Sequence, residues 1–165
     1  MSDGAPLRIL MVCTGNICRS PTAEGVLRAR ALAVGHGERV VVASAGVAGY
    51  HVGDPPDRRS QAHARRRGYD LASLRARQVA ARDFHEFDWL LAMDRGHLRE
   101  LRDMAPADSP ARLALFLDFA PGHTGRDVPD PYYGDAAGFE RVLDLVEAGC
   151  DGLLEALLQR NTDPR

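Results

Sequence analysis

A short apolar segment, residues 7–12, runs directly into a glycine-containing loop and then into a helical pattern. The segment Leu7-Arg8-Ile9-Leu10-Met11-Val12 is nearly continuous in apolar residues, which is typical of a strand buried on both faces of a parallel sheet. After the loop, Pro21 fits the first turn of a helix, where its missing N–H costs nothing, and apolar residues then recur at helical spacing until Gly35. Strand, loop and helix in this order predict the first unit of an α/β fold.

The same alternation continues along the chain. We expect further strands over residues 39–43, 88–93 and 113–119, and further helices over residues 57–67, 94–104 and 139–157. The expected fold is a single-domain three-layer sandwich over residues 1–165, with an ordered core over about residues 6–160. Its four-stranded twisted parallel sheet, in the order 2-1-3-4, carries helices on both faces. Residues 121–135 are rich in Gly, Pro and Asp and predict a long loop, a feature that is often functional in a compact domain.

Charge and hydropathy exclude several classes of partner. The chain has a net charge of −2, so no overall basic field favours nucleic acid or an anionic membrane. No stretch is long and apolar enough to span a membrane, and the first seven residues lack the pattern of a secretory leader. We therefore expect neither nucleic-acid nor membrane partners. The expected protein is a cytoplasmic monomer, with secretion by a route that needs no leader as the alternative.

Cysteines and histidines give no sign of a disulfide framework or a metal site. The three cysteines are too few for a framework, and Cys150 lies on the apolar stripe of the last helix, where we expect a core thiol. The six histidines lack metal-ligand spacing. We expect neither metal nor other cofactor, and we expect surface positions for His63, His85, His97 and His123.

The loop after the first strand contains the candidate catalytic residues. Cys13 lies where a strand turns into a helix, so the helix dipole and unpaired backbone N–H groups favour its thiolate. Arg19, six positions later, offers a planar fork that can grip two oxygens of a phosphate. The residues between them can turn their N–H groups inward around an anion, and the loop is Cys13-Thr14-Gly15-Asn16-Ile17-Cys18-Arg19-Ser20.

A cysteine and an arginine together predict phosphoryl transfer through a phosphocysteine intermediate. Ser20 can donate its hydroxyl to the Cys13 sulfur, and the Asn16 amide can brace the loop through backbone, Ser20 or Ser44. Cys18 either packs in the loop or forms a transient disulfide with Cys13.

The leaving group needs a proton from a general acid elsewhere in the chain. The long loop offers Asp127, Asp130 and Asp135, and spacing alone does not choose among them. Tyr132 and Tyr133 beside Asp130 offer flat walls for an aromatic ring.

Over nearly its whole length the chain resembles the low-molecular-weight protein tyrosine phosphatases, in particular the bacterial members. The matching segments are residues 12–24, Ser44-Ala45-Gly46 and Asp130-Pro131-Tyr132-Tyr133-Gly134. The resemblance implies that Cys13 is the nucleophile, Arg19 the phosphate clamp and Asp130 the acid that later acts as base. It also implies a phosphate-binding role for the loop from Thr14 to Ser20, loop support by Asn16, Ser20 and Ser44, and a substrate cleft lined by Tyr50, Tyr132 and Tyr133.

The expected substrate is a phosphotyrosine-containing protein, such as a bacterial tyrosine kinase or a host protein. Similar enzymes that hydrolyse phosphoarginine carry Thr at the position of Ile17, and similar arsenate reductases use further cysteines in the middle of the chain, where this sequence has none. A phosphoryl carrier or a phosphate-binding module that uses the same loop without hydrolysis is the alternative from another functional class.

Overall fold

A computed structural model describes residues 5–159. The two ends of the domain predicted over residues 1–165, and residue 160 of the predicted core, lie outside the described residues. At its centre is a parallel sheet in the strand order β2-β1-β3-β4. The strands are β1 (Leu7–Cys13), β2 (Val40–Gly46), β3 (Trp89–Ala92) and β4 (Arg112–Leu115). The predicted α/β fold and strand order are confirmed.

Helices cover both faces of this sheet. They are α1 (Arg19–Ala33), α2 (Arg58–Arg66), α3 (Asp83–Glu86), α4 (Arg95–Met104) and α5 (Ala136–Leu154). Alternate residues of β1 face opposite layers: Ile9 and Met11 pack in the core beneath α1 and α5, whereas Leu10 and Val12 pack in the core beneath α3 and α4. Each of these fully buried side chains stabilises the fold by about 1.5–3 kcal/mol. Burial on both faces explains why β1 is almost entirely apolar.

Aspartates begin three of the helices. Asp57 accepts hydrogen bonds from the N–H groups of Arg59 and Ser60, at 2.8 and 3.4 Å, and so caps α2. Asp94 caps α4 and Asp135 caps α5 in the same way. Such caps satisfy N–H groups that have no partner within the helix, each worth about 1 kcal/mol.

Apart from small shifts in the ends of several elements, the structure differs from the sequence-based expectations in β4, in β2 and in one short helix. The strand predicted over residues 113–119 is wrong in its second half, because β4 ends at Leu115 and a 3-10 helix follows over Phe116–Phe119. Phe116 and Leu117 are buried in the core that contains α5, and an apolar run does not distinguish a buried strand from a buried turn. In addition, β2 extends to Gly46 because its pairing with β1 continues, and the short helix α3 was not anticipated.

The ends of β1 and β2 place the loop that follows β1. Cys13 is the last residue of β1 and pairs with Gly46, the last residue of β2. A side chain at Gly46 would lie 2.6 Å from the carbonyl oxygen of Thr14, so only glycine allows the loop to pass so closely. The loop therefore lies over the carboxyl edge of the sheet, where α/β folds bind ligands.

Candidate active site

The loop between β1 and α1 forms a cradle of backbone N–H groups. Asn16 has a φ of 61°, a left-handed conformation that asparagine tolerates and that bends the loop. Within the described chain, none of the N–H groups of residues 14–18 donates to another protein group. The N-terminus of α1 adds the positive end of its dipole. Unpaired N–H groups at a helix N-terminus make an anion site.

Cys13 lies at the base of this cradle. Its side chain is only 3% exposed, and its Sγ lies 2.9 Å from the hydroxyl oxygen of Ser20. Asn16 uses both hydrogens of its amide, donating to Ser20 at 2.8 Å and to Ser44 at 2.9 Å. The hydroxyl hydrogen of Ser20 is therefore free to donate to the Cys13 sulfur.

The same network continues to a buried carboxylate that the sequence analysis did not single out. Ser44 donates its hydroxyl hydrogen to Glu24 at 2.7 Å, and Arg28 donates to the other oxygen of Glu24 at 2.6 Å. The carbonyl oxygen of the Asn16 side chain accepts from the backbone N–H of Arg77 at 2.9 Å. Asn16 thus braces the loop through Ser20, Ser44 and the backbone at once, the three alternatives that the sequence left open.

Arg19 is buried beside the loop, and its guanidinium is fixed by hydrogen bonds to other elements. One nitrogen, Nη1, donates to Asp94 and to the carbonyl oxygen of Val128, both at 2.9 Å. The other, Nη2, lies 3.7 Å from the carboxylate of Asp130. Sequence reasoning missed Asp94, although an aspartate directly after a buried strand was a usable signal, because the carboxyl ends of parallel strands share one edge.

The three aspartates of the long loop have different surroundings in the structure. Asp127 pairs with Arg95, whose guanidinium holds the pKa of this carboxyl below its usual range. Asp135 caps α5. Asp130 alone of the three faces the cleft and Arg19.

A cleft of about 310 Å³ opens above the loop. Its walls include the predicted aromatic side chains Tyr50, Tyr132 and Tyr133, of which Tyr50 and Tyr133 are mostly exposed. The rings of Tyr132 and Tyr133 meet edge to face, 4.9 Å apart, and Arg59 lies over the Tyr132 ring. The lining consists of Cys13, Thr14, Gly15, Ile17, Cys18, Arg19, Tyr50, His51, Asp130, Tyr132 and Tyr133.

His51 is a further residue of the cleft that sequence reasoning missed. A side chain at Gly15 would lie 2.8 Å from Cδ2 of His51, so the imidazole lies directly against the loop. Its Nδ1 is 3.2 Å from the carboxylate of Asp54. No local pattern marks this histidine, because it reaches the loop only through the fold.

The two other cysteines differ from Cys13 in their surroundings. Burial raises the pKa of Cys18 to about 12, with a smaller contribution from the charge of Asp57. Burial also raises the pKa of Cys150, which lies in the core as predicted. Both groups are therefore thiols at neutral pH.

Two of the histidines expected at the surface are buried, so that expectation was wrong for His63 and His97. His63 stacks on Phe139 and pairs with Glu140, and Nε2 of His97 lies 2.7 Å from the hydroxyl oxygen of Thr14. A polar partner makes burial of an imidazole tolerable, and spacing in the sequence does not reveal that partner.

Neither a metal cluster nor a membrane span is found in residues 5–159. No group of three or more His, Cys, Asp or Glu side chains in that range is placed to hold a metal ion. None of the helices there combines the length and the apolar character needed to cross a membrane.

A thiol in an amide-lined loop, with an arginine and an aspartate beside it at the carboxyl edge of a parallel sheet, is an arrangement suited to an enzyme that acts on phosphate esters. Residues 8–163 match the family model described as low molecular weight phosphotyrosine protein phosphatase. The chain belongs to this family.

Individual relatives agree with that assignment. A low molecular weight protein-tyrosine-phosphatase of Streptomyces coelicolor is 45% identical, over 93% of this chain and 94% of its own. The crystal structure of YfkJ from Bacillus subtilis, at 37% identity, superposes with a TM-score of 0.89 over 98% of this chain and 99% of its own. An arginine phosphatase of Drosophila shares the fold with a TM-score of 0.86 at 28% identity, over 96% of this chain and 100% of its own.

Proposed function

We propose that this chain hydrolyses phosphotyrosine in proteins, with Cys13 as nucleophile, Arg19 as phosphate clamp and Asp130 as general acid and base. One observation carries the proposal: these three side chains line a single cleft although they come from β1, from the start of α1 and from the long loop before α5. A carrier or a binding module needs no proton donor for a leaving group, so the carboxylate of Asp130 over the cleft favours hydrolysis.

The reaction proceeds in two displacements. The Cys13 thiolate attacks phosphorus, the bond to the phenolic oxygen breaks, and protonated Asp130 gives its proton to that oxygen. Water then attacks the phosphocysteine, Asp130 takes a proton from the water, and the bond between sulfur and phosphorus breaks. Loop N–H groups and Arg19 stabilise the charge on the phosphoryl oxygens, while Ser20 stabilises the departing thiolate.

The walls of the cleft support an aromatic ester carried by a protein. A phenyl ring bound between tyrosine side chains gains edge-to-face contacts, and exposed Tyr50 and Tyr133 remain available to the surrounding polypeptide. A tyrosine kinase of the same cell is the proposed kind of substrate. A nucleophilic thiolate requires a reducing compartment, which favours action in the cytoplasm.

Hydrolysis of an aryl phosphate tests the proposal. Purified protein should release phosphate from 4-nitrophenyl phosphate at mildly acidic pH with EDTA present, and Cys13→Ser should abolish turnover while retaining substrate binding. Wild-type protein that binds the ester without hydrolysing it would be a carrier or binding module instead. Proteins trapped from cell lysate by Cys13→Ser then identify the physiological substrate.

A second measurement separates phosphotyrosine from phosphoarginine. Ile17 lines the cleft with an apolar side chain, whereas similar phosphoarginine enzymes place a threonine hydroxyl there. The wild type should have a higher kcat/KM for a phosphotyrosine peptide than for a phosphoarginine peptide. Ile17→Thr should reduce the ratio of these two values. A wild-type preference for phosphoarginine would overturn the assignment of substrate.

A further inference from the structure

The start of α4 contacts both ends of the phosphate loop, residues 13–20. At the far end of the loop, Asp94 accepts a hydrogen bond from Arg19 at 2.9 Å. At its start, Nε2 of His97 lies 2.7 Å from Oγ1 of Thr14, the residue that follows Cys13. Asp94 and His97 are themselves joined, since Oδ1 of Asp94 accepts from the His97 backbone N–H at 2.9 Å.

Burial makes His97 a neutral imidazole. The residue is only 4% exposed, and burial lowers its pKa to about 4, with a smaller contribution from the charge of Arg19. A neutral imidazole carries one proton, on either Nδ1 or Nε2.

Asp94 selects the position of that proton. Nδ1 lies 3.2 Å from Oδ1 of Asp94, although the two atoms are not aligned as a regular hydrogen bond. A bare nitrogen lone pair facing a carboxylate oxygen would be repelled, so Nδ1 carries the proton. Nε2 is then unprotonated and accepts the hydroxyl hydrogen of Thr14.

We propose that His97 is a positioning residue of the active site, which holds the Thr14 hydroxyl through Nε2 and so fixes the start of the phosphate loop relative to Asp94 and Arg19 at its end. The inference rests on the proposed phosphate chemistry at Cys13. It adds a role for a side chain that touches neither the cleft nor the reacting atoms.

The position of Thr14 needs this second support. Its backbone is held on one side only, where its carbonyl oxygen accepts from the N–H of Ala48 at 3.0 Å. Thr14 is also one of the residues that line the open cleft. Without His97 the start of the loop loses one of its supports, and a small shift of its N–H groups relative to a phosphoryl group weakens binding and catalysis, which are sensitive to such geometry.

The protonation state of His97 tests the inference in the unaltered protein. Nitrogen-15 NMR of labelled wild type at pH 7 should show one histidine with a protonated Nδ1 and an unprotonated Nε2, and Thr14→Val should shift the Nε2 resonance. A proton on Nε2, or an Nε2 resonance unaffected by Thr14→Val, would overturn the proposal.

Phosphate affinity tests the coupling between the two side chains. In the wild-type background, Thr14→Val should bind inorganic phosphate about fivefold more weakly than Thr14→Ser, as expected for the loss of one neutral hydrogen bond. In a His97→Phe background, the serine and valine variants should bind phosphate alike. If the difference between Ser and Val survives there, His97 is not the partner through which Thr14 acts.

Two further variants distinguish a loss of loop positioning from a general loss of protein stability. Leu101→Ala removes a buried side chain one turn along α4 without touching the loop, and the folded fraction of this variant should bind phosphate as the wild type does. If His97→Phe fails to fold, His97→Asn replaces it in the same comparison. Phosphate binding requires no turnover, so a protein that binds phosphate but hydrolyses nothing refutes the proposed function without refuting the role of His97.

Discussion

Nη1 of Arg19 donates to Oδ2 of Asp94 at 2.9 Å, an ion pair that joins the end of the phosphate loop to the start of α4. The Arg19 side chain is 5% exposed and that of Asp94 is 24% exposed, so solvent screens the pair only weakly. Because Nη1 is occupied by Asp94 and Val128, the remaining face of the guanidinium is directed to the cleft. Asp94 therefore orients the guanidinium of Arg19, the residue that we propose as the phosphate clamp.

Replacing Asp94 with asparagine removes the charge but keeps the helix cap, since asparagine caps helices as well as aspartate does. Asp94→Asn should lower the free energy of unfolding by about 1.5–3 kcal/mol, the value of a hydrogen bond to a charged group, and should weaken phosphate binding. Urea denaturation measures the first effect and competitive inhibition by phosphate the second. In Asp127→Asn, where the partner Arg95 is exposed, the loss should stay below about 1 kcal/mol. Equal losses in the two variants would contradict the orienting role of Asp94.

Ser20 and Ser44 should differ in their effects, although both accept from Asn16. Ser20→Ala removes the donor to the Cys13 sulfur and should lower kcat about 10- to 100-fold, as for a hydrogen bond to a charged group. Ser44→Ala affects the loop only through Asn16 and should lower kcat about fivefold. Rapid-quench kinetics should show that Ser20→Ala slows the breakdown of the phosphocysteine. Identical losses in the two variants would argue against a direct bond from Ser20 to the thiolate.

Asp130→Asn should depress turnover according to the leaving group. A general acid contributes about 10²- to 10⁴-fold when the leaving oxygen needs a proton. The loss in kcat should therefore be larger for phosphotyrosine than for 4-nitrophenyl phosphate, whose phenolate departs more easily. Asp135→Asn should leave the ratio of the two rates unchanged, because Asp135 caps α5. The acid role fails if Asp130→Asn reduces both rates equally.

Stability should depend on pH through His97. The pKa of His97 is lowered to about 4 in the folded state from an ordinary 6.5, so the unfolded chain binds a proton first as the pH falls. The free energy of unfolding contributed by His97 is therefore highest above pH 6.5 and decreases by about 3 kcal/mol as the pH falls to 4. The charged groups acting on its imidazole are Arg19, Asp94, Asp127 and Asp130.

A comparison with His97→Asn isolates this contribution. Carboxyls with lowered pKa, such as that of Glu140, also lose stability on acidification, but they do so in both proteins. Urea denaturation between pH 7 and pH 4 should give a shallower dependence for His97→Asn than for the wild type. Parallel curves would mean that His97 is protonated equally in the folded and unfolded states.

Local sequence was sufficient to predict the alternation of strands and helices and the loop that follows β1. Apart from Arg8, residues 7–12 are all apolar because both faces of β1 are covered, and this pattern is visible in the sequence without knowledge of what packs against it. Cys13, Arg19 and Ser20 lie within eight residues of one another, so a single turn from strand to helix brings them together. The end of β4 was predicted wrongly, because the contact of Phe116 with α5 and not local preference decides that the strand stops there.

Only the tertiary structure decided which distant groups complete the site. Asp94 and His97 meet the loop from 75 and 83 residues away, and Glu24 is joined to Asn16 through Ser44 on another strand. The choice of Asp130 over two neighbouring aspartates depended on which of them faces Arg19. The physical reason is the same for each. Spacing along the chain determines only the contacts between residues that are close in sequence. A charged group or hydroxyl on another element meets its partner only after folding, when the sheet brings the carboxyl ends of its strands to one edge.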